Sequence, residues 1–353
     1  MTIFILLILL LIIQGQFIKD RKVLVFLSFI ELVFIAGFRL PVLDVGSDTE
    51  WYYYKYLDFK SYKLSYFDHY YNEIGFDFFC YILSKINSHP QFLLFATQVF
   101  MTFSILNLVK KKSALPWLSI VFYVTFLFYF NAMNLMRFYL ALSVLCFSID
   151  SIINRNLVKF TVIVIIAFLF HFSAISFFVV YFIYPLKLTF RRIIMLSIPF
   201  LLITMFLMPL FSLLTSINGK YMGYAVDGEF YSSSFANILF FLINLFCLYF
   251  IVKKTSVKIT DYKDEDKLFF ICFLLGTFFS AIGIKVMIAI RFMMLFSLFE
   301  IILLPTILYS LPPKNRRIWT LFWLLLTIGQ VFVILLYRPE WYAITPYRNF
   351  IFS

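Results

Sequence analysis

The chain has 353 residues, of which 63% are hydrophobic, 22% aromatic and only 14% charged, and its mean hydropathy is +0.95. Soluble domains are about half apolar, so this much apolar surface excludes a soluble fold. The net charge of +12 arrives as short basic clusters between apolar runs rather than as a continuous stripe, which marks membrane topology and speaks against nucleic acid as a partner.

Taken in chain order, apolar segments fall at 2–18, 23–38, 91–109, 115–130, 132–152, 193–211, 235–252, 268–284, 286–309 and 318–337. Runs of about 20 residues match the hydrocarbon thickness of a bilayer. The expected fold is therefore all-α: one polytopic integral membrane domain over 1–353, with about 10–13 transmembrane or re-entrant helices. The first run lacks the basic start and small-residue cleavage site of a signal peptide, so it is expected to be a retained helix.

The positive-inside bias assigns six clusters to the cytoplasm: Lys19/Arg21/Lys22, Lys110 to Lys112, Arg155/Lys159, Lys187/Arg191/Arg192, Lys253/Lys254/Lys258 and Lys314/Arg316/Arg317. The connections near 39–73 and 212–234, and the tail after Arg338, then fall on the extracytoplasmic side. Two segments resist simple counting. Residues 74–86 are short and contain Asp77, and a full span there would move Lys110 to Lys112 outside, so they read as an interfacial or re-entrant helix. A single crossing over 157–184 would put Arg191 and Arg192 outside; two half-helices meeting near His171 avoid this. Irregular backbone at membrane depth needs protein or a water-filled cavity around it, so a cavity near His171 is implied. No repeat of 20 to 50 residues and no Gly/Pro/Ser-rich linker divides the chain.

With that topology Arg39, Asp48, Arg137, His171 and Arg291, from five separate segments, reach one membrane face. Asn131, Asn134 and Arg137 are spaced i, i+3, i+6, which on one helix makes a single polar stripe facing a cavity. Each arginine is either a ligand clamp or an interfacial side chain snorkelling to headgroups. His171, in AFLFHFSAISFF, is either a hydrogen-bonded packing residue or a neutral imidazole able to take a proton. Glu31, Asp77, Asp150, Lys285 and Glu300 are expected mostly to form structural pairs.

The outer connection carries Trp51, Tyr52, Tyr53, Tyr54, Tyr56, Tyr62, Tyr66, Tyr70 and Tyr71. These suit either an interfacial aromatic belt or a platform for sugar rings, with Asp48, Asn72 and Glu73 beside them to bind hydroxyls. An Asp264-Glu265-Asp266 sequence has the form of a glycosyltransferase metal motif, but between Lys263 and Lys267 it reads as a solvated charge run. The cysteines, Cys80, Cys146, Cys247 and Cys272, lie in apolar stretches without ligand spacing and indicate neither zinc nor a disulfide framework. No P-loop, dinucleotide fingerprint or HExxH is present.

Five stretches, RLPVLDVGSDTEWYYYKY (39–56), NEIGFDFF (72–79), NLMRFYLALS (134–143), FHFSAISFFVVYF (170–182) and TPYRNF near the end, together and in this order resemble the EpsG family of Wzy-like polysaccharide polymerases. Matching positions are Arg39, Gly46, Asp48, Tyr52, Glu73, Gly75, Phe76, Arg137, His171, Ser173 and Arg291, with Ser47 a mild departure. The resemblance implies a glycosyltransferase of the bacterial inner membrane with a glycosyltransferase-C-like fold. Such an enzyme extends O-antigen, capsule or exopolysaccharide outside the membrane from undecaprenyl-diphosphate-linked oligosaccharide, with membrane lipids and a chain-length regulator as partners and no metal or cofactor. The chemistry then assigns Asp48 or His171 as general base. It assigns Arg137, Arg291 and Arg39 to the diphosphate, and Tyr52, Glu73 and Asn134 to substrate binding. Rival readings are a lipid-linked oligosaccharide flippase or transporter, a membrane O-acyltransferase built on His171, and a polysaccharide ligase.

Overall fold

Polar punctuation between the apolar runs sets the helix ends. Asp20 accepts the backbone N–H groups of Lys22 and Val23 at 2.7 and 3.1 Å, His89 takes that of Gln91 with Pro90 opening the next helix, and Asn156 takes that of Lys159. Each satisfies donors that the first helical turn leaves unpaired. The computed structural model describes residues 1–40, 48–64, 73–187, 189, 195, 235–254, 263–284, 288–337, 339, 342 and 344–352. The expected span at 193–211 apart from residue 195, the 212–234 connection and Lys285 lie outside them.

Among the described residues the regular structure is helical: α1 (Thr2–Phe17), α2 (Arg21–Gly37), α3 (Asp48–Phe59), α4 (Ile74–Ile86), α5 (Pro90–Lys112), α6 (Pro116–Thr125), α7 (Phe128–Asn134), α8 (Met136–Leu145), α9 (Ile149–Ile153), α10 (Leu157–Phe170) and α11 (Phe178–Ile183), followed by α12 (Phe235–Lys254), α13 (Asp264–Gly283), α14 (Ile288–Ser297), α15 (Glu300–Ser310) and α16 (Pro313–Tyr337). Four stretches, Pro90–Lys112, Met136–Ile153, Asp264–Gly283 and Pro313–Tyr337, are long and apolar enough to cross a bilayer. Two bent pairs, α6 with α7 at 53° and α14 with α15 at 44°, raise the number to six. Leu6, Leu9 and Ile13 on α1 and Leu321, Leu325 and Leu336 on α16 stay exposed, a pattern that suits contact with lipid. The protein is a multi-pass α-helical membrane protein.

The described chain packs as two compact units, one of residues 1–178 with 312–353 and one of 179–311. In the first unit α2 and α5 run antiparallel. Arg21 near the start of α2 donates to the Lys110 carbonyl at 2.9 Å, and Gln91 near the start of α5 donates to the Gly37 and Arg39 carbonyls at 2.7 and 3.0 Å. The basic clusters thus gather at one end of this pair and Arg39 at the other. At the basic end a cavity of about 280 Å³ is lined by Lys111, Lys112, Asp150 and Lys159, with Lys112 paired to Asp150 at 2.8 Å. The expected structural pairing also holds for Asp77 with Lys55 and for Glu31, which accepts from Gln14.

The break at His171 is present. Helix α10 stops at Phe170, His171 takes an extended conformation (φ −156°, ψ 124°), and a 3₁₀ turn over Phe172–Phe177 leads into α11. Phe177 and Phe178 return to the ring of Phe160, with centroids 6.5 and 5.2 Å apart. Phe160 lies ten residues before the end of α10, roughly 15 Å back along its axis, so the chain doubles back on itself.

The helix expected over 132–152 is not continuous, and this corrects the polar stripe. Helix α7 ends at Asn134, Leu135 leaves helical geometry (φ −89°, ψ 57°), and α8 starts at Met136. A second break precedes it at Leu127, which is fully buried in the left-handed region at φ 70°. That conformation costs about 1 kcal/mol or more for a side-chain-bearing residue. The burial of Leu127, Phe128 and Tyr129 offsets it. Asn131 and Asn134 therefore sit on one short helix and Arg137 on the next.

In the second unit α13 opens with Asp264, Glu265 and Asp266 in its first turn. Acidic side chains there suit the positive end of the helix dipole, which accounts for the charge run. Glu300 begins α15 at the 44° bend and is buried, with its Oε2 unpartnered among the described residues. Arg291 lies one turn inside α14, half-buried.

Candidate functional site

Helix α3 is amphipathic in an unusual way, since both of its faces are aromatic. Tyr52, Tyr56 and Phe59 turn inward and are buried, while Trp51 and Tyr54 are 50% and 53% exposed. Lys55 reaches α4, placing its ammonium 2.7 and 2.8 Å from the two oxygens of buried Asp77, and Tyr56 donates to the Asn87 carbonyl at 2.7 Å. These contacts fix α3 against α4 and leave one row of rings facing outward.

Arg137 enters from the first turn of α8. Its Nε donates to the Tyr52 hydroxyl at 2.9 Å and its Nη1 to Glu73 Oε2 at 2.7 Å, with the guanidinium carbon 5.4 and 5.5 Å from the Trp51 and Tyr52 rings. Fork geometry and aromatic faces hold a guanidinium in one orientation, which a lysine ammonium would not reproduce. Burial pushes the Tyr52 hydroxyl up to about 12, with the charges of Asp48 and Glu73 adding to the shift and Arg137 opposing it. The hydroxyl therefore stays neutral at physiological pH and accepts from Arg137. Asp48 is the exposed first residue of α3 and lies within electrostatic reach of Tyr52.

Glu73 joins this arrangement through an uncommon backbone. It precedes α4 in the left-handed region (φ 40°, ψ 44°), a conformation that costs about 1 kcal/mol or more outside glycine and that clusters at functional sites. Two residues on, Gly75 lets α4 press onto the end of α10: a Cβ at Gly75 would lie 2.8 Å from the carbonyl carbon and oxygen of Leu169. This close approach brings Glu73 Oε1 to 3.7 Å from His171 Nε2 and 3.5 Å from the Phe172 N–H. On its other side His171 Nδ1 accepts the Ser173 N–H at 3.3 Å and lies 2.7 Å from Ser173 Oγ. The ring is held edge-to-face by Phe138 and stacked by Phe172. An Nδ1 that accepts leaves the proton of a neutral imidazole on Nε2, which at 3.7 Å from Glu73 Oε1 makes an electrostatic contact rather than a hydrogen bond.

A second group of contacts lies beside the first. Arg39 is buried, and its guanidinium donates to the Ala36 and Met133 carbonyls. Burial lowers its ionisation to about 10, so it remains a cation at neutral pH. Thr49 donates to Met133 O at 3.0 Å and lies 3.1 Å from Asn134 Oδ1, while Asn134 Nδ2 donates to the Tyr342 carbonyl. The C-terminal tail closes the group, with Leu40 N–H donating to Arg348 O at 2.9 Å and Phe350 N–H to Phe38 O at 2.7 Å.

Of the residues singled out in the sequence, Tyr52, Glu73, Arg137 and His171 form one connected network with Asp48 at its edge. Arg39 and Asn134 belong to the adjoining group of main-chain ties. Arg291 lies in the second compact unit, and Asn72, Tyr66, Tyr70 and Tyr71 fall outside the described residues. The parts that the sequence reading missed are Thr49 as the link between α3 and Asn134, and the returning tail at Tyr342. Neither has a local signal, because both act through main-chain carbonyls of distant segments.

Residues 22–349 match the model of the EpsG family, and the chain belongs to that family. No curated protein and no solved structure matches the chain.

Proposed function

We propose that this EpsG-family chain is a polysaccharide polymerase of the bacterial inner membrane. It transfers a growing glycan from undecaprenyl diphosphate to a lipid-linked repeat unit on the extracytoplasmic side, and the glycan is an O-antigen, capsule or exopolysaccharide. The observation that carries this reading is the Arg137 guanidinium, fixed by Tyr52 and Glu73 beside the exposed Trp51 ring. Such a site couples an anion binder to surfaces that stack on the C–H faces of sugars, which are the two recognition needs of a sugar diphosphate.

In the reaction the bond between the anomeric carbon and the diphosphate oxygen breaks as an acceptor hydroxyl attacks. Negative charge develops on the leaving diphosphate, and fixed guanidinium donors stabilise it. Arg137 supplies this charge in our reading. Arg39 and Asn134 tie α2, α7 and the tail into the frame around it. Membrane lipids surround the donor, and a separate regulator sets chain length.

The test is Arg137→Ala and Arg137→Lys in a strain lacking the chromosomal gene, read as glycan banding. Both variants should leave single repeat units. Normal long chains from both would sink the proposal, and absence of any surface repeat would point to translocation instead.

A further inference from the structure

Resting on the polymerase reading, we propose that Glu73 is the group that takes the proton from the acceptor hydroxyl, and that the donor diphosphate raises its basicity by sharing the Arg137 guanidinium.

Three residues of the site could accept a proton: Asp48, His171 and Glu73. His171 is turned the wrong way for this step. Its Nδ1 accepts from Ser173, so its proton lies on Nε2 and faces Glu73 Oε1. At 3.7 Å this nitrogen faces the carboxylate electrostatically, beyond hydrogen-bond length. Asp48 is exposed at the head of α3, where water solvates its charge. Glu73 is more enclosed, its side chain 15% exposed, with one oxygen toward His171 and the other on Arg137.

A carboxylate paired with a guanidinium is a poor base, because the cation stabilises its ionised form. The pair is nevertheless placed to be exchanged. The Arg137 side chain is 34% exposed, so an incoming anion reaches the guanidinium before it reaches Glu73. A diphosphate offers more negative charge and more acceptor oxygens than one carboxylate, and it matches the guanidinium fork. Once the diphosphate shares the Arg137 guanidinium, its negative charge offsets that cation and the proton affinity of Glu73 rises. The base is then strongest when the donor is bound, which ties deprotonation to the presence of a substrate.

The step balances within the site. The acceptor O–H proton passes to Glu73, the acceptor oxygen bonds to the anomeric carbon, and the carbon–oxygen bond to the diphosphate breaks. The lipid diphosphate leaves as an anion paired with Arg137. Return of the proton to water resets the Glu73–Arg137 pair.

The experiment uses the full chain purified into lipid nanodiscs, with undecaprenyl diphosphate as the binding probe and lipid-linked repeat units as substrate. Glu73→Gln should bind undecaprenyl diphosphate at least as tightly as wild type, because the Glu73 carboxylate no longer competes for Arg137, yet polymerise about 10²-fold more slowly or worse. Arg137→Ala should lose binding. Polymerisation by Glu73→Gln within a few-fold of wild type would overturn the proposal, as would a loss of binding matching that of Arg137→Ala, which would make Glu73 a prop for the arginine. If Glu73→Gln does not fold, Glu73→Asp keeps the charge: residual activity with an altered pH profile supports the base, and an unchanged profile overturns it. A wild-type protein that neither binds the diphosphate nor extends repeats would instead overturn the polymerase reading itself.

Discussion

Gly75 and Leu169 meet through their main chains, close enough that a Cβ at Gly75 would lie 2.8 Å from the Leu169 carbonyl. The contact joins α4 to α10 just where Glu73 and His171 face each other. Gly75→Ala should therefore push α4 off α10 and separate the carboxylate from the imidazole. The overpacking should destabilise the protein by about 1–3 kcal/mol. The expected readout is a lower melting temperature in detergent together with loss of polymer bands; a variant of wild-type stability and activity would show that the contact relaxes freely.

The Lys55–Asp77 pair anchors α3 on α4, with the Asp77 side chain 3% exposed. Asp77→Ala removes this ion-pair partner from a mostly buried ammonium and should cost about 3 kcal/mol. The double variant Asp77→Leu with Lys55→Met should recover much of that loss, since it removes both charges together. Thermal unfolding of the two purified variants decides this, and equal destabilisation would show that packing rather than charge holds α3.

Tyr52→Phe removes the acceptor for Arg137 Nε while keeping the ring. A hydrogen bond to a charged group contributes about 1.5–3 kcal/mol, so diphosphate affinity should fall tenfold or more. The same variant tests the upward shift of Tyr52. The native hydroxyl keeps its proton to about pH 12 and an unfolded tyrosine loses it near its ordinary value, so this contribution is constant at neutral pH. It turns against the folded state as pH rises from about 10 to about 12. Tyr52→Phe should soften that alkaline loss of stability; an unchanged alkaline profile would mean the group ionises as freely in the fold as outside it.

Reporter fusions check the sidedness that the charge pattern implies. Fusions at Tyr62 and Lys111 should report opposite sides of the membrane. Fusions at Asn154 and Lys187 should report the same side, because the chain doubles back at His171. Opposite sides for the second pair would make 157–184 a single crossing.

Much of the helical layout was legible in the sequence because hydropathy and basic clusters are local quantities with a direct relation to bilayer thickness and orientation. The interruption at His171 was legible for the same reason: no single crossing over 157–184 satisfied the charges on both sides. The breaks at Leu127 and Leu135 had no such signal. No proline or glycine marks them, and it is the burial of Leu127, Phe128 and Tyr129 that holds the left-handed turn.

Residue types that suit a sugar-diphosphate enzyme could likewise be picked from the sequence, and four of them, Tyr52, Glu73, Arg137 and His171, form one network. What the sequence alone determined was a multi-pass helical membrane protein with polar residues where apolar ones would be expected. Tertiary structure decided their partners. It put Asn134 and Arg137 on separate short helices and placed Glu73 between Arg137 and His171. Periodicity and charge act over neighbouring residues, whereas these pairings depend on a left-handed residue at 73 and a missing side chain at 75. Their consequence appears only when α4 packs on α10.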